Sequence, residues 1–131
     1  MNHLSVEQLE GLRQQLLREQ NRLRETISQE LLDHDSQQFS DLAGRVHDAG
    51  EESVADLLAD LDMEMIRRHK EELQEVEAAL ERMAQGRYGI CQDSAEPIAY
   101  ERLKVQPTAR RSAEMQRRWE QSHYGDNRPT L

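Results

Sequence analysis

Hydrophobic side chains recur at helical spacing along two long stretches of this chain. The first stretch opens with a capping-box pattern, Ser5-Val6-Glu7-Gln8, and the second opens with a similar pattern at Ser53 and stops before Gly86. Steps of three, four or seven residues between apolar positions predict two amphipathic helices. Those positions are Leu9, Leu12, Leu16, Leu23, Ile27 and Leu31 in the first stretch, and Leu57, Leu58, Leu61, Met65, Leu73, Val76, Leu80 and Met83 in the second.

Between the two stretches, from Asp33 to Gly50, polar residues and two glycines interrupt the pattern and favour turns or short helical pieces. Two helices of roughly 30 residues would each reach about 45 Å, and antiparallel packing would bury both apolar stripes. We therefore predict a coiled-coil hairpin over residues 1–86. Its tip, near residues 40–53, is expected to stand far from the rest of the molecule.

After Gly86 the chain changes to short, turn-rich pieces that predict a small knuckle. A last helix is expected roughly from Ala109 to His123, because Met115 and Trp119 lie one turn apart and present one face to the knuckle. Residues 125–129 are expected to fray. The predicted fold class is mainly α, with a long antiparallel two-helix hairpin followed by a globular segment, residues 87–131, that ends in a helix.

The formal net charge of −9 is unevenly distributed. Residues 1–86 carry 20 acidic and 9 basic side chains, whereas residues 87–131 carry 6 acidic and 8 basic ones. An acidic surface repels phosphate backbones, so we expect no autonomous binding of nucleic acid and favour a protein partner. Local positive charge on the knuckle is an alternative, but it lacks aromatic side chains on which bases could stack.

Several other classes of protein are excluded by simple features. No apolar run approaches the roughly 18 residues of a membrane span, and the first residues, Met1-Asn2-His3-Leu4, do not form a signal sequence. We therefore expect a cytoplasmic protein that does not bind membranes. The single cysteine, Cys91, cannot form an internal disulfide, and the five histidines are scattered and expected to be solvated. Without a phosphate loop, a nucleophile elbow or a metal cluster, we expect no enzyme activity.

The most specific motif follows the second predicted helix. It reads Gly86-Arg87-Tyr88-Gly89-Ile90-Cys91-Gln92-Asp93-Ser94, then Glu96-Pro97-Ile98, then Arg102-Leu103-Lys104-Val105-Gln106-Pro107-Thr108-Ala109-Arg110-Arg111-Ser112. This segment closely resembles the four-cysteine zinc finger of the DksA/TraR family. The family's ligand spacing, C-x2-C, x17, C-x2-C, falls here on Cys91, Ser94, Ser112 and Met115.

One thiolate cannot hold a structural zinc ion, because such sites use four thiolate or imidazole donors. We therefore expect a degenerate finger with no metal and no other cofactor. Cys91 is interpreted as a small buried hydrophobe rather than a redox sensor. The side chains expected to pack the knuckle are Tyr88, Ile98, Leu103 and Met115.

The resemblance also covers the hairpin. The family carries a D-x-x-D-x-A motif at its coiled-coil tip, which is matched here by residues 48–53: Asp48 keeps the first acid, Glu51 replaces the second, and Ser53 replaces the alanine. The resemblance implies that these three residues are directed towards the active site of RNA polymerase. Without it, acids at this place would be read simply as favourable charges at a helix N-terminus.

The resemblance further implies a transcription regulator whose hairpin enters the secondary channel of RNA polymerase and alters promoter-complex stability. We expect it to act as a monomer. A role in the stringent response with ppGpp stays open, because Glu72, Glu75 and Gln116 lie among the basic residues of that region. The alternative is an acidic coiled-coil interaction module with no direct polymerase activity.

Overall fold

Helices dominate the part of the chain that the structure describes. A computed structural model describes residues 3–34, 36–61 and 63–124, without the side chain of Tyr124. The predicted mainly helical fold is confirmed, and the tail predicted at residues 125–129 lies outside the described residues. In chain order the described helices are α1 (Val6–Leu32), α2 (Gln37–His47), α3 (Val54–Leu57), α4 (Glu64–Ala84), α5 (Tyr100–Val105) and α6 (Ala113–Tyr124).

Helices α1 and α4 pack against each other as the predicted antiparallel hairpin. Helix α1 begins with the expected capping box, in which the Ser5 hydroxyl accepts from the Gln8 amide at 2.9 Å and the Gln8 side chain accepts from the Ser5 amide at 3.0 Å. Burial of each leucine or isoleucine of the shared seam contributes roughly 1.5–3 kcal/mol. The seam includes Leu16, Leu23, Ile27, Leu73 and Val76, all buried.

The segment predicted as the hairpin tip folds back instead of standing at the end. Helix α2 packs along α1, with the Ser28 hydroxyl donating to the Ala43 carbonyl at 3.1 Å and His47 lying 3.4 Å from Glu25. Residues 40–53 therefore lie beside the C-terminal half of α1. The reason is an apolar stripe that our sequence reading missed, since side chains at i, i+3, i+4 and i+7 need burial. These are Phe39, Leu42, Ala43 and Val46.

The prediction of one continuous helix from Ser53 to Gly86 is wrong. Helix α3 ends at Leu57, and the chain turns before α4 begins at Glu64. No glycine or proline causes this break. Tertiary contacts fix it, because Leu58 is completely buried and the Lys70 ammonium donates to the Leu61 carbonyl at 2.8 Å.

A buried ion pair joins the returning segment to the hairpin. The Arg24 guanidinium of α1 donates to the carbonyls of Gly50 at 2.6 Å and Glu52 at 2.8 Å, and it lies 3.3 Å from the Glu77 carboxylate of α4. Glu77 in turn accepts from the amides of Val54 and Ala55 at 3.2 and 2.7 Å, at the start of α3. The side chains of Arg24 and Glu77 are only 10% and 12% exposed, so the pair acts as a clamp on residues 50–55.

The knuckle packs at the opposite end of the hairpin, near the start of α1. A single antiparallel bridge joins Ile90 to Pro97, and the His3 ring lies 2.7 Å from the Ile98 carbonyl. Tyr88, Ile98 and Leu103 are buried as predicted, with Met115 packed against them. Burial raises the pKa of Tyr88 to about 12, and its hydroxyl donates to the Pro107 carbonyl at 2.7 Å.

One histidine departs from the prediction that all five are solvated. His69 on α4 is half-buried and its ring contacts the Glu30 carboxylate of α1. Because the two residues belong to facing helices, the contact adds to the seam near its far end. The prediction of a solvated side chain is therefore wrong for His69.

We expect Arg24→Met to lower the free energy of unfolding by about 3 kcal/mol, because it leaves the Glu77 carboxylate and two backbone carbonyls buried without their cationic partner. Chemical denaturation measures the loss. Arg22→Met is the matched control, since Arg22 pairs with Glu19 and Glu72 in solvent and its replacement should cost about 0.5 kcal/mol or less. Equal losses in the two variants would contradict the clamp.

Ala95 in the knuckle has a φ of +62°, a conformation that costs a residue with a Cβ atom roughly 1 kcal/mol. We therefore expect Ala95→Gly to raise the free energy of unfolding by about 0.5 kcal/mol, although glycine makes the unfolded chain more flexible. Thermal unfolding compares it with Ala84→Gly, an exposed site at the end of α4 where glycine should destabilise. Destabilisation in both variants would show that the positive φ of Ala95 does not strain the folded protein.

Candidate functional site

The predicted tip residues form an exposed loop between α2 and α3, which we call the acidic loop (residues 48–53). Asp48 ends α2, where its amide donates to the Gly44 carbonyl at 2.9 Å, and its side chain is exposed. Gly50 has a φ of +57°, which lets the loop turn towards α3. Ser53 caps α3 by accepting from the Asp56 amide at 3.1 Å.

The acidic loop presents its side chains to two different surfaces. Asp48 and Glu52 border a shallow depression together with Asp41 and Arg45 of α2. Glu51 and Ser53 instead line a groove that runs along α1 and α4. The structure therefore brings Asp48 together with Asp41 of α2 and Glu52 of the loop, and it does not place Asp48, Glu51 and Ser53 on one face.

The chemistry that the acidic loop offers is that of solvated carboxylates on a fixed backbone. Asp48 and Glu51 are exposed, so they can accept hydrogen bonds or attract cations without first being uncovered. The clamp between Arg24 and Glu77 holds the loop backbone through two carbonyls, and it holds the start of α3 through the amides of Val54 and Ala55. The loop is thus suited to contact and electrostatic effects on a partner.

Our sequence reading did not single out Arg24 or Glu77, although these two residues position the acidic loop. A weak signal existed for Arg24, which lies between the seam residues Leu23 and Ile27 and four residues before the buried Ser28. A charged residue among buried positions normally has a partner. The sequence does not identify that partner, because Glu77 is 53 residues away in a helix with many other acids.

The four finger positions lie together at the knuckle. Cys91 is buried, and the Ser94 side chain and the backbone of Ser112, Ser94 and Asp93 act on its thiol as hydrogen-bond donors that lower its pKa. Burial by itself would raise the pKa of the Cys91 thiol, but these donors outweigh burial and lower it to about 7. The local backbone thus surrounds the sulfur with donors that favour its thiolate form.

Ser112 and Met115 have structural roles at the start of α6. The Ser112 hydroxyl accepts from the Met115 amide at 3.2 Å, which satisfies a free donor of the first helical turn. Met115 is half-buried and packs against the core. Arg111 precedes α6, and its guanidinium lies 4.9 Å from the centre of the ring of Trp119, which is in α6. This is a cation–π distance.

The described residues contain neither a cluster of metal-binding side chains nor a membrane-spanning helix. Among residues 3–34, 36–61 and 63–124, no three histidine, cysteine or acidic side chains are grouped so that they could hold a metal ion. Nor does any helix in those ranges combine the length and the apolar character that crossing a membrane requires.

Comparison with known proteins bears directly on the knuckle. Residues 86–121 match the family described as "Prokaryotic dksA/traR C4-type zinc finger". Because that description points to zinc binding, our prediction of no metal cofactor is contradicted by this match. The side chains at the four ligand positions are one thiol, two hydroxyls and one thioether, and this donor set does not fit a four-thiolate site.

The wider chain is similar to proteins of the same kind. The "RNA polymerase-binding transcription factor DksA" of Caulobacter vibrioides is 32% identical over 117 residues, which cover 86% of this chain and 76% of that protein. The "General stress protein 16O" of Bacillus subtilis is 41% identical over 63 residues, which cover 48% of this chain and 37% of that protein.

A solved structure extends the comparison to the fold. The structure of the transcription factor DksA2 from Pseudomonas aeruginosa aligns with a TM-score of 0.60 at 29% sequence identity, covering 92% of this chain and 89% of that one. The similarity therefore extends well beyond the knuckle and covers most of the chain. The chain therefore belongs to the DksA/TraR family.

Proposed function

We propose that this protein regulates transcription by binding RNA polymerase in the cytoplasm, as a monomer and without catalysing a reaction. In this proposal the α1–α4 hairpin enters the secondary channel of the enzyme and alters the stability of promoter complexes. The observation that carries it is the similarity to an RNA polymerase-binding factor over 86% of the chain. The geometry supports it, because a slender helical projection is the kind of element that a narrow channel admits.

The acidic loop is proposed to act on the polymerase after docking. Its carboxylates are exposed, and the Arg24–Glu77 clamp fixes the backbone that presents them. A charged group held by a rigid support does not have to be ordered when the partner binds, which lowers the entropic cost of contact. Asp48 and Glu51 face different surfaces, so we propose that they contact different elements of the polymerase.

A role for ppGpp in the stringent response is the least supported part of the proposal. Near the base of the hairpin, Arg110 pairs with Glu75 at 2.9 Å, and further along α4 Arg68 lies 3.3 Å from Glu72. A phosphate grip requires convergent basic side chains whose charge is available. Because these arginines already contact acids, we expect ppGpp to change the activity of this protein little.

The alternative function is an acidic coiled-coil module that contacts a protein other than RNA polymerase. One observation favours it: half-buried apolar side chains remain uncovered along the hairpin, and these include Leu9, Leu17, Leu80 and Met83. The two functions differ in their first measurable step, which is binding to purified polymerase.

We expect the protein to compete with a known secondary-channel factor for purified RNA polymerase and to change the lifetime of open complexes. Both are measured in one titration, with and without ppGpp. Competition together with a changed lifetime supports the proposal. Competition without a change in lifetime would limit the function to docking, and an absence of binding would favour the alternative module.

We expect Asp48→Ala to abolish the effect on open-complex lifetime while changing polymerase affinity by no more than about twofold, because one exposed carboxylate contributes little to docking. The matched control is Asp41→Ala, an exposed acid of α2 at the same depression but outside the acidic loop. The control should keep its full effect on lifetime. A parallel loss of affinity and activity in Asp48→Ala would contradict an action after docking.

A further inference from the structure

One face of the α1–α4 hairpin is covered along only half its length. On α1 this face is a continuous stripe at steps of three and four residues, which starts at Val6 and runs through Leu17 and Arg24 to Ser28. Its upper half, towards the C-terminal end of α1, lies under α2 and the acidic loop, as the contacts of Arg24 with Gly50 and of Ser28 with Ala43 show. Its lower half, towards the N-terminal end of α1, borders an open groove.

The floor of this groove is apolar. It is formed by side chains from both helices of the hairpin, and those of the leucines and of Met83 are half-buried, whereas Val6 is 85% exposed. The α1 residues that line it span positions 6–20, so the groove is about 20 Å long, which matches roughly four turns of a helix. The apolar lining residues are Val6, Leu9, Leu17, Ala55, Ala78, Leu80, Met83 and Ala84.

The rim of the groove is acidic. Glu51 and Asp56 stand at the end closed by the acidic loop, and Glu10 and Glu81 stand along the sides. The one basic side chain in the lining, Arg13, lies 3.5 Å from Glu10, so its charge is largely balanced. A second copy of this acidic chain would bring like charges together, whereas a basic partner would be attracted.

The chain itself shows what covers such a surface. On the upper half of the same face, the apolar side of helix α2 packs on α1, and His47 in the last turn of α2 lies 3.4 Å from Glu25. We propose that the lower groove is a docking site for an amphipathic helix of a partner protein, with an apolar stripe on the α1–α4 floor and Lys or Arg side chains against the acidic rim. This proposal is independent of polymerase binding.

The test uses two synthetic helical peptides of about 16 residues, each carrying one leucine stripe, with lysines beside the stripe in one peptide and glutamates in the other. Fluorescence anisotropy measures their binding to the full-length protein. We expect the lysine peptide to bind and the glutamate peptide to bind at least about tenfold more weakly. Equal affinities, or no binding of the lysine peptide, would overturn the proposal.

Variants locate the binding. The double substitution Asp56→Lys and Glu81→Lys should weaken the binding of the lysine peptide at least about tenfold, because both acids are exposed at the rim. The control with the same change in net charge is Glu71→Lys with Glu101→Lys, two exposed acids outside the groove, and it should weaken the peptide by no more than about threefold. Equal weakening in both pairs would place the peptide elsewhere and overturn the proposal.

A second pair of variants tests the floor. Val6→Gln should weaken the peptide, whereas Val105→Gln, at a similarly exposed valine of α5 that does not line the groove, should not. Both positions are on the surface, so neither variant is expected to unfold the protein. Sedimentation of the protein without peptide tests the other possible occupant of the groove, a second copy of the chain. A dimer that dissociates in Val6→Gln would assign the groove to that second copy and overturn the proposal.

Discussion

The ion pair between Arg24 and Glu77 is the interaction that holds the acidic loop and the start of α3 against the hairpin. It joins α1 to α4, holds the carbonyls of Gly50 and Glu52, and supplies acceptors to the first amides of α3. Two buried charges cost free energy unless hydrogen bonds satisfy them, and here the backbone of residues 50–55 provides four of those hydrogen bonds. The hydrogen bonds of the pair therefore require this loop conformation. In this conformation the carboxylates of Asp48 and Glu51 are exposed.

The knuckle combines the spacing of a zinc-finger motif with a different set of side chains at the ligand positions. Backbone groups of residues 93, 94 and 112 help to lower the pKa of the Cys91 thiol to about 7, and Ala95 has a positive φ that suits glycine better. The hydroxyls of Ser94 and Ser112 now serve as a hydrogen-bond donor to Cys91 and as a helix cap. The family relationship is thus visible in the polypeptide path as well as in the spacing of the motif.

A thin hairpin has too little neighbouring structure to cover every side of its apolar seam. In this protein the knuckle and α5 cover one side near the base, where Gln15 donates to the Lys104 carbonyl, and α2 covers another side near the far end. The lower groove stays open between α1 and α4, with acids along its rim. The shape that would suit a channel therefore also exposes a surface that a partner helix would fit.

The sequence by itself determined the helical class, the apolar stripes of α1 and α4, the capping box at Ser5 and the knuckle motif, because all four depend on local spacing. It did not determine the break after Leu57 or the position of the acidic loop. Those follow from contacts between distant residues, namely the burial of Leu58 and the reach of Arg24 to Glu77. Only the tertiary structure decided them, because helical spacing shows which side chains need burial and not which partners will bury them.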